Sequence, residues 1–125
     1  MNAADPLVQY VVVRRDLLQA PYRWPVGALI AQGVHAAVSA VWKFRDVSDD
    51  VMAYCGEGDG TQMRTFVLES PDEASLQRLG AELAASQVQH VLWREQPEQV
   101  LTALATAPAR KSRIQGCFKR FRLFR

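Results

Sequence analysis

Histidine and cysteine are scarce in this 125-residue chain, with two of each: His35, His90, Cys55 and Cys117. Two cysteines cannot build a disulfide framework, so nothing demands an oxidising compartment. The four residues show no short ligand spacing, so no metal site and no cofactor are expected. No apolar run reaches the roughly 18 residues that would cross a bilayer, so no membrane partner is expected either. The opening Met1 to Asp5 has neither the basic and apolar regions of a secretory signal nor the Arg-rich character of a transit peptide. Gly56, Gly58 and Gly60 lack the trailing Lys-Ser/Thr of a phosphate-cradling loop, and no serine sits in a nucleophile elbow. Disorder is excluded in turn, because 49% of the residues are hydrophobic. The expectation is one cytoplasmic domain over residues 1–125.

Acidic residues are absent after Glu98, and this makes the chain polar end to end. Residues 1–108 hold eight Lys/Arg against all thirteen acids, whereas residues 109–125 hold Arg110, Lys111, Arg113, Lys119, Arg120, Arg122 and Arg125. The net charge of +2 therefore hides a body of −5 and a tail of +7. Such an edge is either a solubilising end or a surface for a polyanion, which clustered cations bind by releasing its condensed counterions.

The hydrophobic pattern alternates between strand and helix. Leu7 to Arg14 is β-branched and aromatic and reads as a buried strand. After Pro21 and Pro25, Val26 to Arg45 reads as a long helix whose apolar face comprises Leu29, Ile30, Gly33, Ala37, Ala40, Val41 and Phe44. Its many small residues suit close packing on a sheet. Asp46 to Gly60 is turn-rich, with a helical turn near Asp49 to Tyr54, and Arg64 to Glu69 is a second strand. Ser70-Pro71-Asp72-Glu73 signals a helix start, with Ser70 as cap, Pro71 in the first turn and Glu73 closing a capping box. That helix runs to about Ala85, with Leu76, Leu79 and Leu83 inward. Val88 to Arg94 is a third strand and Glu95 to Gln99 a turn, while Leu101 to Thr106 suits strand or helix by propensity and is taken as the fourth strand that completes the sheet. The basic end is partly helical, and the alternation in Phe118 to Phe124 suggests an edge strand or an anchored tail. The predicted class is a three-layer α/β/α fold around a mixed, mostly parallel four-stranded sheet. In such folds chemistry gathers where strand ends meet helix starts, here the connection from Arg14 to Gln32.

Few side chains are equipped for catalysis. Gln32, His35, Ser39 and Trp42 form a stripe beside the apolar face of the long helix, either a satisfied flank or the wall of a site. His90 shares its strand face with Val88 and Leu92 and reads as structural. Cys55 and Cys117 have no base nearby in sequence and read as inert. The remaining option is acid–base chemistry by His35 with a carboxylate, Asp16 or Glu95, each just past a strand's end.

Several segments in this order resemble the type II peptidyl-tRNA hydrolases: Val12-Val13-Arg14-Arg15-Asp16-Leu17, Ala31-Gln32-Gly33-Val34-His35-Ala36-Ala37 and Pro71-Asp72-Glu73. Gln19-Ala20-Pro21, Trp24-Pro25, Glu95-Gln96-Pro97-Glu98 and Phe121-Arg122-Leu123-Phe124 are similar to the eukaryotic domain-containing subgroup of that family, and the likeness covers about residues 7–125. The resemblance implies hydrolysis of the ester joining a peptide to the 3′ ribose of tRNA, without a metal. It carries the family's glutamine, histidine and strand-end aspartate onto Gln32, His35 and Asp16, and Glu95 stands where the family has aspartate. Ala28 stands where the family has a lysine, so Arg23 is the nearest cation entering the long helix. The family's longer loop after the third strand is shortened here, and its threonines have no evident counterpart.

Three functional readings follow. In the first, the chain is a peptidyl-tRNA esterase, with His35, aided by Glu95 or Asp16, orienting or deprotonating the attacking water while Gln32 and backbone amides near Gly27 hold the carbonyl. In the second, it binds tRNA or another RNA without catalysis, through the basic terminus, with Arg23, Arg110, Lys111, Arg113, Lys119 and Arg120 as the RNA-binding candidates. In the third, it is a protein-interaction domain, with a homodimer among the arrangements, using exposed aromatics such as Tyr22 and Trp24.

Overall fold

A computed structural model describes residues 5–125; the segment 1–4, which opens the stretch read for a targeting signal, lies outside the described residues. Strand β1 (Leu7–Arg14) runs through the middle of the sheet and leads into a single 3-10 turn, Arg15–Leu18. Helices α1 (Val26–Phe44) and α2 (Asp49–Gly56) follow, then β2 (Thr65–Ser70) and α3 (Glu73–Ala85). Strands β3 (His90–Glu95) and β4 (Val100–Thr106) form a hairpin. The basic end supplies β5 (Ala109–Arg110), the short helix α4 (Lys111–Ile114) and β6 (Arg122–Leu123).

The sheet order is β3-β4-β1-β2-β6, with β5 alongside β1. It is mixed, as expected, but it has six strands and is mostly antiparallel. Only β1 and β2, joined through the α1 and α2 crossover, run parallel. The physical reason is chain length. A connection as short as Gln96 to Gln99 can only return the chain antiparallel, because a parallel pair needs a crossover of a dozen residues or more. The two extra strands, of two residues each, come from the C-terminal segment, and β6 is the edge strand that the Phe-Arg-Leu-Phe alternation suggested.

Strand β1 serves both faces of the sheet by alternation. Val11 and Val13 join Leu29, Ala36 and Ala40 of α1 in one core, while Val8, Tyr10 and Val12 join Leu76, Leu79 and Leu83 of α3 and Phe118 in the other. The small residues of α1 permit close approach: a Cβ on Gly33 would lie 3.3 Å from Val13 Cγ2. The buried face of α1 is nonetheless rotated from the expected one. Gln32 and Ala36 are buried, whereas Ile30 is 63% exposed on an outer stripe with Val26, Val34, Val38 and Trp42. Apolar character alone placed Ile30 inside, while the polar partners described below place Gln32 there. Trp24, expected at the surface, packs partly buried against the α1-side core.

The start of α3 also differs in its cap. Asp72, not Ser70, caps the helix, and its carboxylate accepts from the Ser75 amide at 2.8 Å. Ser70 is held in β2 opposite Arg14 and donates its hydroxyl to the Asp72 carbonyl. Leu76, Leu79 and Leu83 point inward as the helical spacing required.

Candidate active site

Three strand ends and one helix start converge at one end of the sheet: the ends of β1 and β3, the start of β4 and the first turns of α1. Gln32 lies at the centre, 2% exposed. Its carbonyl Oε1 accepts from Thr102 Oγ1 at 2.8 Å, and its amide Nε2 donates to Glu95 Oε2 at 3.2 Å and to the Ala28 carbonyl at 3.3 Å. The pairing shift between Trp93 and Arg94 in the β3–β4 ladder accompanies this arrangement, since Leu101 packs in the α3-side core while Thr102 meets α1. Local bulges re-aim side chains in this way.

A second cluster adjoins the first through Leu101. Arg14, 3% exposed, donates from Nε and Nη2 to the two carboxylate oxygens of Asp16 at 3.0 and 2.8 Å, and from Nη1 to the Leu101 carbonyl at 2.9 Å. The Tyr22 ring lies 5.4 Å from the guanidinium carbon. Burial works against the charge of Arg14, but the hydrogen bonds and charges of Asp16 and then Tyr22 together outweigh it and raise the pKa above the ordinary arginine value. Asp16 is therefore committed to a bidentate ion pair. Glu95 makes no ion pair among the described residues and keeps lone pairs to spare.

His35 lies close by but outside this hydrogen-bond network. It is exposed on α1, one turn after Gln32, and its ring lies 5.0 Å from that of Trp93, two residues before Glu95 on β3. The Trp93 indole Nε1 is buried without a hydrogen-bond partner, alone in this among buried side-chain polar atoms of the described residues. The N-terminus of α1 adds further donors. Pro25 supplies no capping side chain and the first turn holds no acid, so the leading amides at Val26, Gly27 and Ala28 have no intrahelical acceptor.

The catalytic candidates thus share one end of the fold, with Gln32 and Glu95 in direct contact and Asp16 tied to Arg14. The basic candidates do not converge on it. Arg23 lies at the loop entering α1 with φ 50° and no ion pair among the described residues. Arg110 pairs opposite Leu7, at the far end of β1 and about 20 Å from Arg14 at a strand's rise. Lys111 sits over the Phe66 ring, Arg113 lies in the adjoining α4, and Arg120 pairs with Glu82 of α3 at 2.8 Å. Lys119 is exposed beyond Phe118, on the α3 side of the sheet. His90, read as structural, holds the Val88 carbonyl at 2.8 Å through Nδ1.

Sequence reasoning missed Arg14, Thr102 and Trp93 as members of the site. A charged residue closing an otherwise uniformly buried strand was a signal for Arg14. Nothing local marked Thr102, whose facing depends on the irregular pairing of β3 with β4. Among the described residues no three His, Cys, Asp or Glu side chains gather as metal ligands, and no described helix is long and apolar enough to cross a membrane.

The family model "Peptidyl-tRNA hydrolase PTH2" matches residues 7–124, nearly the whole of the fold described. The chain belongs to the PTH2 family. A human protein named "Putative peptidyl-tRNA hydrolase PTRHD1" is 44% identical over 126 residues, covering 99% of this chain and 88% of its own length. The mouse protein of the same name is 44% identical over 119 residues, covering 95% and 83%. The matched span of this PTH2 member contains both polar clusters, the α1 N-terminus and strand β6.

Proposed function

We propose that the chain hydrolyses the ester between a peptide, or an N-blocked amino acid, and the 3′ ribose of tRNA. The observation that carries this reading is the buried Gln32 amide, fixed between Thr102 and Glu95, one turn from an exposed imidazole and two turns from the open start of α1. Family membership supplies the substrate class.

His35 takes a proton from the attacking water, whose oxygen bonds to the ester carbonyl carbon. Glu95 fixes the Gln32 amide beneath the site by accepting its Nε2 hydrogen bond. The α1 amides stabilise the charge developing on the carbonyl oxygen, as donors already fixed in place do. The carbon–oxygen bond to the ribose then breaks, and the 3′ oxygen leaves with the proton held by His35. Asp16 acts through Arg14, holding the ends of β1 and β4 in place.

The test is release of an N-blocked amino acid from charged tRNA by the purified protein, with His35→Ala and Glu95→Gln alongside. A loss of about 10²–10⁴-fold in the His35 variant, the usual weight of a positioned acid–base group, supports the reading. Equal turnover by wild type and His35→Ala refutes the role of His35. Absence of turnover in the wild type, with salt-sensitive tRNA binding intact, makes the protein a binding module.

A further inference from the structure

Beyond the Gln32 site, arginines line the edge formed by β2 and β6. Two adjoining clefts of about 460 and 370 Å³ share Glu69 and Arg122. Arg15 and Arg125 line the first, and Arg78 and Arg120 line the second. These charges come from the end of β1, from α3 and from the C-terminal segment, so no single run of sequence encodes the groove. Arg122 pairs opposite Glu69, and Glu69 is level with Val13 of β1. The groove therefore opens at the same end of the sheet as Arg14 and Asp16. Strand β6 lies two strands from β1, about 10 Å at sheet spacing.

The arginines are held in position. The Glu69 carboxylate, 12% exposed, lies 3.2 Å from Arg122 and 3.7 Å from Arg15. Arg15 also lies over the Phe124 ring at 5.2 Å and donates to the Arg125 carbonyl. Arg120 meets Glu82 at 2.8 Å. Five arginines face two side-chain carboxylates, Glu69 and Glu82. A guanidinium anchored by one acid keeps free N–H groups in the planar geometry that fits phosphate oxygens. Exposed ion pairs such as that of Arg122, whose side chain is 84% exposed, exchange partners at little cost.

We infer that this groove binds consecutive backbone phosphates of an RNA whose 3′ end enters the Gln32 site. The inference rests on the tRNA-ester reading and adds the path of the nucleic acid. The spread of the arginines over two open clefts suits a chain of phosphates rather than a single anion. The cations at the far end of β1, Lys111 and Arg113, take no part in it.

The experiment measures binding of deacylated tRNA by fluorescence anisotropy across salt concentrations, for wild type, Arg78→Gln/Arg122→Gln and Lys111→Gln/Arg113→Gln. Each lost phosphate contact flattens the slope of log K against log salt by about 0.7–0.9. The groove variant should flatten it by about 1.4–1.8 and the far-end variant should leave it unchanged. Arg122→Gln alone, at a side chain 84% exposed, should flatten it by about 0.7–0.9 without disturbing the fold. A flattened slope in the far-end variant alone, or equal flattening in both, overturns the inference. Turnover separates it from the reading beneath it. A groove variant that hydrolyses charged tRNA with unchanged KM refutes the groove and leaves the esterase standing, whereas a wild type with neither turnover nor salt-dependent binding refutes both.

Discussion

Thr102 donates its hydroxyl to Gln32 Oε1 across 2.8 Å inside the core, and this bond decides which way the glutamine amide faces. With Oε1 occupied, Nε2 points at Glu95 and at the Ala28 carbonyl. Thr102→Val keeps the shape and removes the donor, leaving the buried Oε1 unpaired. The expected cost is about 1–3 kcal/mol in urea unfolding, the usual penalty for an orphaned buried polar atom. Ester hydrolysis should fall as well, because a freed amide can flip away from Glu95. A variant as stable and as active as wild type contradicts this account of the amide.

Asp16 and Arg14 make a separate prediction. Asp16→Asn removes the charge that compensates a guanidinium only 3% exposed. Breaking a buried pair from one side costs about 3–5 kcal/mol, and the 24% exposure of Asp16 lowers the expectation to about 2 kcal/mol. Arg14→Met, which removes the buried charge and leaves a partly solvated carboxylate, should cost less. Chemical denaturation of the two variants gives the order directly, and the reverse order would mean that the pair does not govern this end of β1.

Trp93 carries a buried indole N–H with no partner. Trp93→Phe removes that donor and keeps an aromatic ring beside His35. The variant should be at least as stable as wild type apart from the smaller ring's lost packing, which thermal unfolding measures. A fall in kcat/KM without a fall in stability would assign the N–H to the bound substrate. Unchanged kinetics would leave it no part in catalysis.

Cys55 supplies the pH-dependent prediction. Burial disfavours the thiolate and raises the pKa of Cys55 above the ordinary cysteine value. The sign is simple: the neutral thiol persists to higher pH, and alkylation, which requires the thiolate, is delayed accordingly. Iodoacetamide labelling followed by mass spectrometry should show Cys55 modified more slowly at pH 8 than an exposed cysteine, with its rate rising at higher pH. Rapid labelling at neutral pH would show an activated thiol.

Periodicity carried much of the fold. The two long helices, the first three of the four principal strands and the inward Leu76, Leu79 and Leu83 follow from local pattern, because 3.6-residue and 2-residue repeats are imposed by burial on one face. Leu101 to Thr106, by contrast, reads as a strand only by its place in the sheet. His35 was legible as a candidate from residue type, Asp16 and Glu95 from their place just past strand ends, and Gln32 through the family resemblance. The rotation of α1 was not. An isoleucine is favoured inside by its transfer free energy, but a satisfied glutamine can displace it, and satisfaction depends on groups far along the chain.

Composition and spacing alone set the α/β class, the polarised charge and the short list of side chains able to do chemistry. Long-range pairing settled the rest. The β3–β4 hairpin made the sheet mostly antiparallel, and an irregular register turned Thr102 toward Gln32. The addition of β6 beside β2 carried Arg122 and Arg125 away from Arg110, Lys111 and Arg113 and set them beside Arg15. Such juxtapositions join residues as many as 110 positions apart, through hydrogen bonds that no local propensity encodes.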